Sequence, residues 1–339
     1  MPQHRNIGIV FTLTLIVACG ETAGSSSQVV VPIDAERRFT ATVFDTAWVM
    51  GGPSDTLLAM PSMLRPYGDG GLVFYDYHNR KVYRVSAEGA MLWSWGPAGE
   101  GPGEIKNVRS LDVKDDGSII VGDAGNQRIL TISANGDVID EGQLSARTLH
   151  SVSALVDGKV AVHGKVPALG VWDPDQGVQS VELPAGFANL SFVQYQGRTV
   201  SWSDERWVFG FAYGNGWAVL DGATVVGMYP YVEATEFPAV RQAREGLARV
   251  TRMVTRPPSS GRSLSVRGDT LFVLFGGTKY GGRVIDKYNL NTGRYVVTDR
   301  LPHYANRAVV GHSGRVFTVM TADLYPVITA ITPKRGVDQ

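Results

Sequence analysis

Arg109, His150, Asn189, Arg262 and Arg307 are the residues of this chain whose types and spacing offer chemistry. Each stands at a fixed distance ahead of a glycine turn. Counting eight residues back from Gly70, Gly117, Gly158 and Gly197 gives Ser62, Arg109, His150 and Asn189. The string RSLSV aligned on RSLDV gives Arg262, and Arg307 precedes Gly314 by seven residues. A set with three arginines and no acid suits recognition of a carboxylate or phosphate, because the planar guanidinium binds such groups through two parallel hydrogen bonds. Like charges a few ångströms apart repel by about 1 kcal/mol in water and by several in a partly dry cleft. Gathered arginines therefore call for an anion. The other resolution is pairing with Asp112, Glu104 or backbone carbonyls in a purely structural role. His150 with Arg109 and Arg307 could also stabilise an oxyanion or shuttle a proton. That leaves a lyase or a lactonase-like hydrolase as the alternative to a binding module.

What brings these positions together is a repeat. Residues 71–89 read GLVFYDYHNRKVYRVSAEG and residues 118–136 read SIIVGDAGNQRILTISANG, an ungapped register of 47 residues. Asp76 falls on Asp123, Asn79 on Asn126 and Gly89 on Gly136. A period of this length built from short strands marks a β-propeller. The 40 glycines and 17 prolines in 339 residues agree with many short strands and tight turns. The fold expected is all-β: a six-bladed β-propeller of four-stranded antiparallel blades over residues 37–335. Blades start near Ser62, Arg109, His150, Asn189, Arg262 and Asn306. The last has only three strands, so Arg38–Asp45 is expected to supply its outer strand and remove the exposed edges. The insert 232–261 carries Val240, Ala243, Leu247 and Val250 at helical spacing and is read as a helix. It joins blades 4 and 5, and from Pro238 to Arg262 it holds six arginines against Glu245, a cationic lid over a cationic mouth.

The Asp-x-x-Asn turns at Asp76/Asn79 and Asp123/Asn126 are read as structural, since Asp and Asn cap their own turn backbone and a single site is not built twice. Trp202, Trp207 and Trp217 could form a carbohydrate platform, but their spacing as strand residues favours packing between blades.

The residues Gly101-Pro102-Gly103-Glu104, Leu111-Asp112-Val113, Gly117 to Val121 and Asp123 to Ile129 resemble NHL repeats. The segments Leu271 to Gly277, Asp286 to Leu290 and Thr292 to Tyr295 look like the six-bladed β-propeller lipoproteins of environmental and gut bacteria. The resemblance spans roughly residues 38–333 and implies the fold; such families include lyases, lactonases and binding modules. Ahead of it, an apolar run from Ile7 to Val17 ends in Ile16-Val17-Ala18-Cys19, which resembles the lipobox of bacterial lipoproteins. Cys19 is the sole cysteine, so no intramolecular disulfide is available to it. The expected organisation is a signal peptide over 1–18, then a lipidated Cys19 and a flexible tether over 19–36. Gly20, rather than aspartate, after the cysteine favours the outer membrane of a Gram-negative cell.

Lys and Arg total 32, as do Asp and Glu, so the chain offers no global electrostatic case for nucleic acid. His78, His150, His163, His303 and His312 contain no pair at metal-ligand spacing, and neither a metal nor a cofactor is expected. There is no Gly-x-Ser-x-Gly elbow, and the loop Gly96–Gly103 lacks the lysine of a phosphate loop.

Overall fold

The computed structural model describes residues 36–334 except 56, 145–148, 166, 185–186, 188–189, 192–193, 195, 215, 234, 246–247 and 322–324. The segment 1–35, with Cys19, and Asn189 lie outside the described residues.

Glycine turns and runs of β-branched and aromatic residues divide the chain into six four-stranded antiparallel sheets. From the inside outwards, blade 1 is Pro61–Pro66, Leu72–Asp76, Lys81–Val85 and Met91–Trp95. Blade 2 is Val108–Val113, Ile119–Asp123, Arg128–Ile132 and Val138–Gln143. Blade 3 is Ser151–Ala154, Val160–His163, Leu169–Asp173 and Gly177–Ser180. Blade 4 is Gly197–Ser201, Arg206–Phe211, Gly216–Asp221 and Thr224–Pro230. Blade 5 is Ser259–Arg267, Thr270–Gly276, Val284–Asn289 and Tyr295–Arg300. Blade 6 is Arg307–Val310, Val316–Met320 and Val327–Lys334, completed on its outer edge by Val43–Gly51. Each inner strand neighbours the next, and that of blade 6 returns to that of blade 1, so the ring closes. The second strands are buried along their whole length in blades 1 and 2, whereas Met91–Trp95 alternates between covered and exposed. Middle strands lie between neighbouring blades and are covered on both faces; outer strands meet water on one.

The repeat is a set of blade-to-blade ties. Asp76 and Asp123 are wholly buried. Asp76 accepts hydrogen bonds from the backbone of Ala59 and Met60 at 2.8 and 2.9 Å and from His78 and Asn79 at 3.1 and 2.9 Å. Asp123 accepts from Lys106, Asn107 and Gly125 at 3.0, 2.9 and 3.0 Å. Each carboxylate thus fastens the incoming connection to the turn after its own strand. On the rim, Trp48 donates to the Ala87 carbonyl and Trp93 to the Ala134 carbonyl, each at 2.9 Å. Gly89, at φ +88°, lies under Trp48, and a Cβ there would come within 2.8 Å of the indole. Only glycine meets both demands.

Two expectations are corrected. The closing strand is Val43–Gly51, not Arg38–Asp45. Trp48 and Met50 set its place: the indole packs on Phe317 at 5.9 Å, and Met50 joins the core between blades 6 and 1. Residues ahead of it go elsewhere. Thr40 N–H donates to the Thr298 carbonyl, Thr298 N–H donates to that of Arg38, and Arg37 pairs with buried Asp286 at 3.0 Å and with Glu233, all at blade 5. The insert is a hairpin rather than a helix, formed by Val240–Glu245 and Ala248–Met253. The apolar residues that read as one helical face pair across it, Ala243 opposite Val250 and Val240 opposite Met253. Val250, Thr251, Val254 and Thr255 are β-branched, and Gly246 opposes a helix, so local preference sides with strands.

Candidate functional site

Inner strands begin at the mouth where blade-to-blade connections arrive. Five of them open on the same three-residue pattern: Arg109-Ser110-Leu111, His150-Ser151-Val152, Arg198-Thr199-Val200, Arg262-Ser263-Leu264 and Arg307-Ala308-Val309. The small central residue stitches neighbouring strands. Val152 N–H donates to Ser110 Oγ at 2.9 Å, Thr199 N–H to Ser151 Oγ at 3.1 Å and Ala308 N–H to Ser263 Oγ at 3.3 Å. The residue before it is left at the mouth. Register shifts beside Arg109 and Arg262 mark bulges, which re-aim side chains at a strand end.

The structure gathers Arg109, His150, Arg262 and Arg307 as the spacing predicts, but the blade 4 position belongs to Arg198. Gly197 is not a turn glycine; it is the first residue of the inner strand. Counting back from it places the blade 4 head at Asn189, nine residues ahead of Arg198. The Arg-Thr-Val string was the signal for the correct register. A bulge between Ser62 and Arg65 in blade 1, with Met63 at φ +53°, adds Arg65 deeper in the channel.

Arg65 has a carboxylate partner, Asp112, at 3.1 Å. Among the described residues no carboxylate pairs with Arg109, Arg198, Arg262 or Arg307. Glu104, the other acid suggested by sequence, bonds instead to the Gly101 N–H at 2.7 Å. Arg262 donates to Tyr304 Oη at 2.6 Å and Arg307 to the Asn306 carbonyl at 3.0 Å, both neutral acceptors. Arg109 is exposed and lies over the Tyr77 ring at 5.9 Å. Burial, then the fields of Arg307 and Arg65, lower the pKa of Arg198 to about 9. Burial and Arg262 lower that of Arg307. The His150 pKa falls to about 4 through burial, then Arg109 and Arg198. At neutral pH the histidine is an uncharged member of a cationic ring.

The hairpin roots on the same face. Phe237 packs edge-on against Phe211 at 5.8 Å, and Arg256 Nε donates to Tyr213 Oη at 3.3 Å. Arg241, Arg244 and Arg252 are exposed on it, and the pairing sets Arg241 opposite Arg252.

The opposite mouth has a different character. A cavity of about 490 Å³ there is lined by Asp112, Asp115, Asp157, Asp204, Trp202 and His312, among others. The sequence does not single it out, because Asp115, Asp157 and Asp204 sit in the turns between first and second strands, where acids also serve as turn residues, and Asp112 lies within an inner strand. Asp116, on the same rim, accepts from Ser118 N–H at 2.8 Å. Trp207 and Trp217 are fully buried in the cores around blade 4 and form no carbohydrate platform.

No family model and no curated relative matches the chain. Solved structures do match in fold. A streptogramin B lyase superposes with a TM-score of 0.54 at 13% identity, covering 86% of this chain and 98% of that one. A putative exported protein from Bacteroides fragilis gives 0.53 at 13%, covering 87% and 95%. A member of the DUF4221 family from Bacteroides vulgatus gives 0.56 at 11%, covering 87% and 99%. The chain is a six-bladed β-propeller. At such identities the likeness extends to the fold alone.

Proposed function

We propose that the protein is a non-catalytic binding module of the cell envelope, of the NHL-like lipoprotein type. A lipid on Cys19 holds it to the membrane, and the outer membrane is the compartment this reading favours. Its ligand is anionic: an acidic small molecule, an acidic glycan or an acidic patch on a partner protein. The observation that carries the reading is the mouth itself, where Arg109, Arg198, Arg262 and Arg307 lack a carboxylate partner among the described residues. Guanidinium groups at the head of a narrow channel focus field outwards, and exposed Arg241, Arg244 and Arg252 on the hairpin extend it.

A lyase or hydrolase at the same mouth would draw on His150 as its base. A ring whose pKa lies near 4 is uncharged at neutral pH but only weakly basic, which favours binding over proton abstraction. Calorimetric titration of the chain lacking residues 1–19 with sugar acids, dicarboxylates and phosphate esters tests the reading. The double variant Arg109→Ala, Arg307→Ala should weaken the best ligand at least 10-fold while the fold persists by circular dichroism. A panel in which every acid binds the double variant as well as the parent would sink it.

A further inference from the structure

Below the mouth the channel narrows to a cavity of about 30 Å³, lined by Arg65, Arg198, Arg262 and Arg307 with Ser110 and Ser263 among its other residues. Arg65 is neutralised by Asp112. The other three guanidinium groups converge on this space with only neutral acceptors at Arg262 and Arg307. Arginine keeps its proton at physiological pH, so the charge cannot be shed as it can at a buried lysine or histidine. All three side chains are half-buried, and uncompensated charge partly withdrawn from water is unfavourable. Among the described residues no carboxylate supplies the counter-charge for these three. The volume restricts its chemistry: about one or two water-sized bodies fit, which leaves no room for a phosphate ester or a sugar acid.

We propose that this neck holds a compact monatomic anion, chloride under cellular conditions, as a resident counter-ion at the ring's axis, between the guanidinium groups of Arg198, Arg262 and Arg307. It rests on the same arginines as the mouth reading but concerns a different place and a different ligand. Blades 4, 5 and 6 each contribute one arginine, so the ion would stabilise that side of the ring. The lowered pKa values of Arg198 and Arg307 agree with cations still awaiting a partner.

The test is thermal unfolding of the folded chain at constant ionic strength, with chloride exchanged for methanesulfonate, which belongs to none of the acid classes tried at the mouth. The expected result is a saturable rise in Tm of a few degrees with chloride, as binding to the folded state alone requires. Bromide should reproduce it and give an anomalous peak in the neck of a bromide-soaked crystal. Arg198→Met should abolish the dependence; because that variant could fail to fold, the bromide peak in the unaltered protein stands as the independent measurement. Coincident chloride and methanesulfonate melts with no bromide peak overturn the proposal. Acid binding at the mouth without a halide response also overturns it and leaves the mouth reading intact. A halide response without any acid binding supports the neck site and removes only the mouth reading.

Discussion

At pH 7 the His150 ring is uncharged, because burial and then Arg109 and Arg198 hold its pKa near 4. An unfolded histidine titrates near 6.5, so between about pH 6.5 and 4 the unfolded chain binds the additional proton and the folded state loses ground as pH falls. Replacing His150 with Gln removes this term. We expect the variant to be more stable than the parent at pH 4.5, relative to pH 7.5, by on the order of 1 kcal/mol after solvent screening. Urea melts at the two pH values read it out, and an NMR titration giving a His150 pKa near 6.5 in the folded protein would contradict it. At this scale the sequence was informative about residue type: Arg109, His150, Arg262 and Arg307 all lie where turn spacing put them. It was silent about partners. Asp112 turns to Arg65, not to Arg109, because a bulge in blade 1 redirects the backbone, and no spacing rule reports a bulge.

Individual strands were legible where a turn glycine carried φ > 0 and the next strand was apolar up to its closing aspartate, as at Gly70 and Gly117. They were misread where one local signal fits two structures. Gly197 mimics a turn glycine but opens a strand, and Val240 to Val250 satisfies a helical period that the hairpin satisfies across its ladder. Asp123 shows why the repeat was the sounder guide. Four backbone N–H groups converge on it, two from the incoming blade connection and two from the turn after its own strand. Asp123→Ala would leave buried donors without acceptors, so we expect a loss of about 3 kcal/mol in denaturant unfolding. Asp123→Asn keeps an acceptor and should lose less. Equal losses in the two variants would show that carboxylate geometry contributes nothing beyond side-chain volume.

For the ring as a whole, closure was legible and its register was not. A three-stranded last blade demanded an N-terminal partner, yet which residues serve depends on Trp48 reaching Ala87 and Gly89 of blade 1, a contact set by the curvature of the finished ring. A chain beginning at residue 36 should run as a folded species on size-exclusion chromatography. One beginning at residue 52 leaves the Val327–Lys334 edge unpaired and should elute as oligomer or aggregate. Two monomers of equal melting temperature would refute the closing role. The same pairing has a cost in time. Val43 meets Lys334, so the first strand of the ring to be synthesised waits for the last. At about 5–20 residues per second the interval is roughly 15–60 s. During it, blades 1 to 5 can assemble as an open arc with a bare edge at each end. Whatever shields nascent chains from one another must act over that interval, and a pause in synthesis ahead of residue 327 would lengthen the exposure directly.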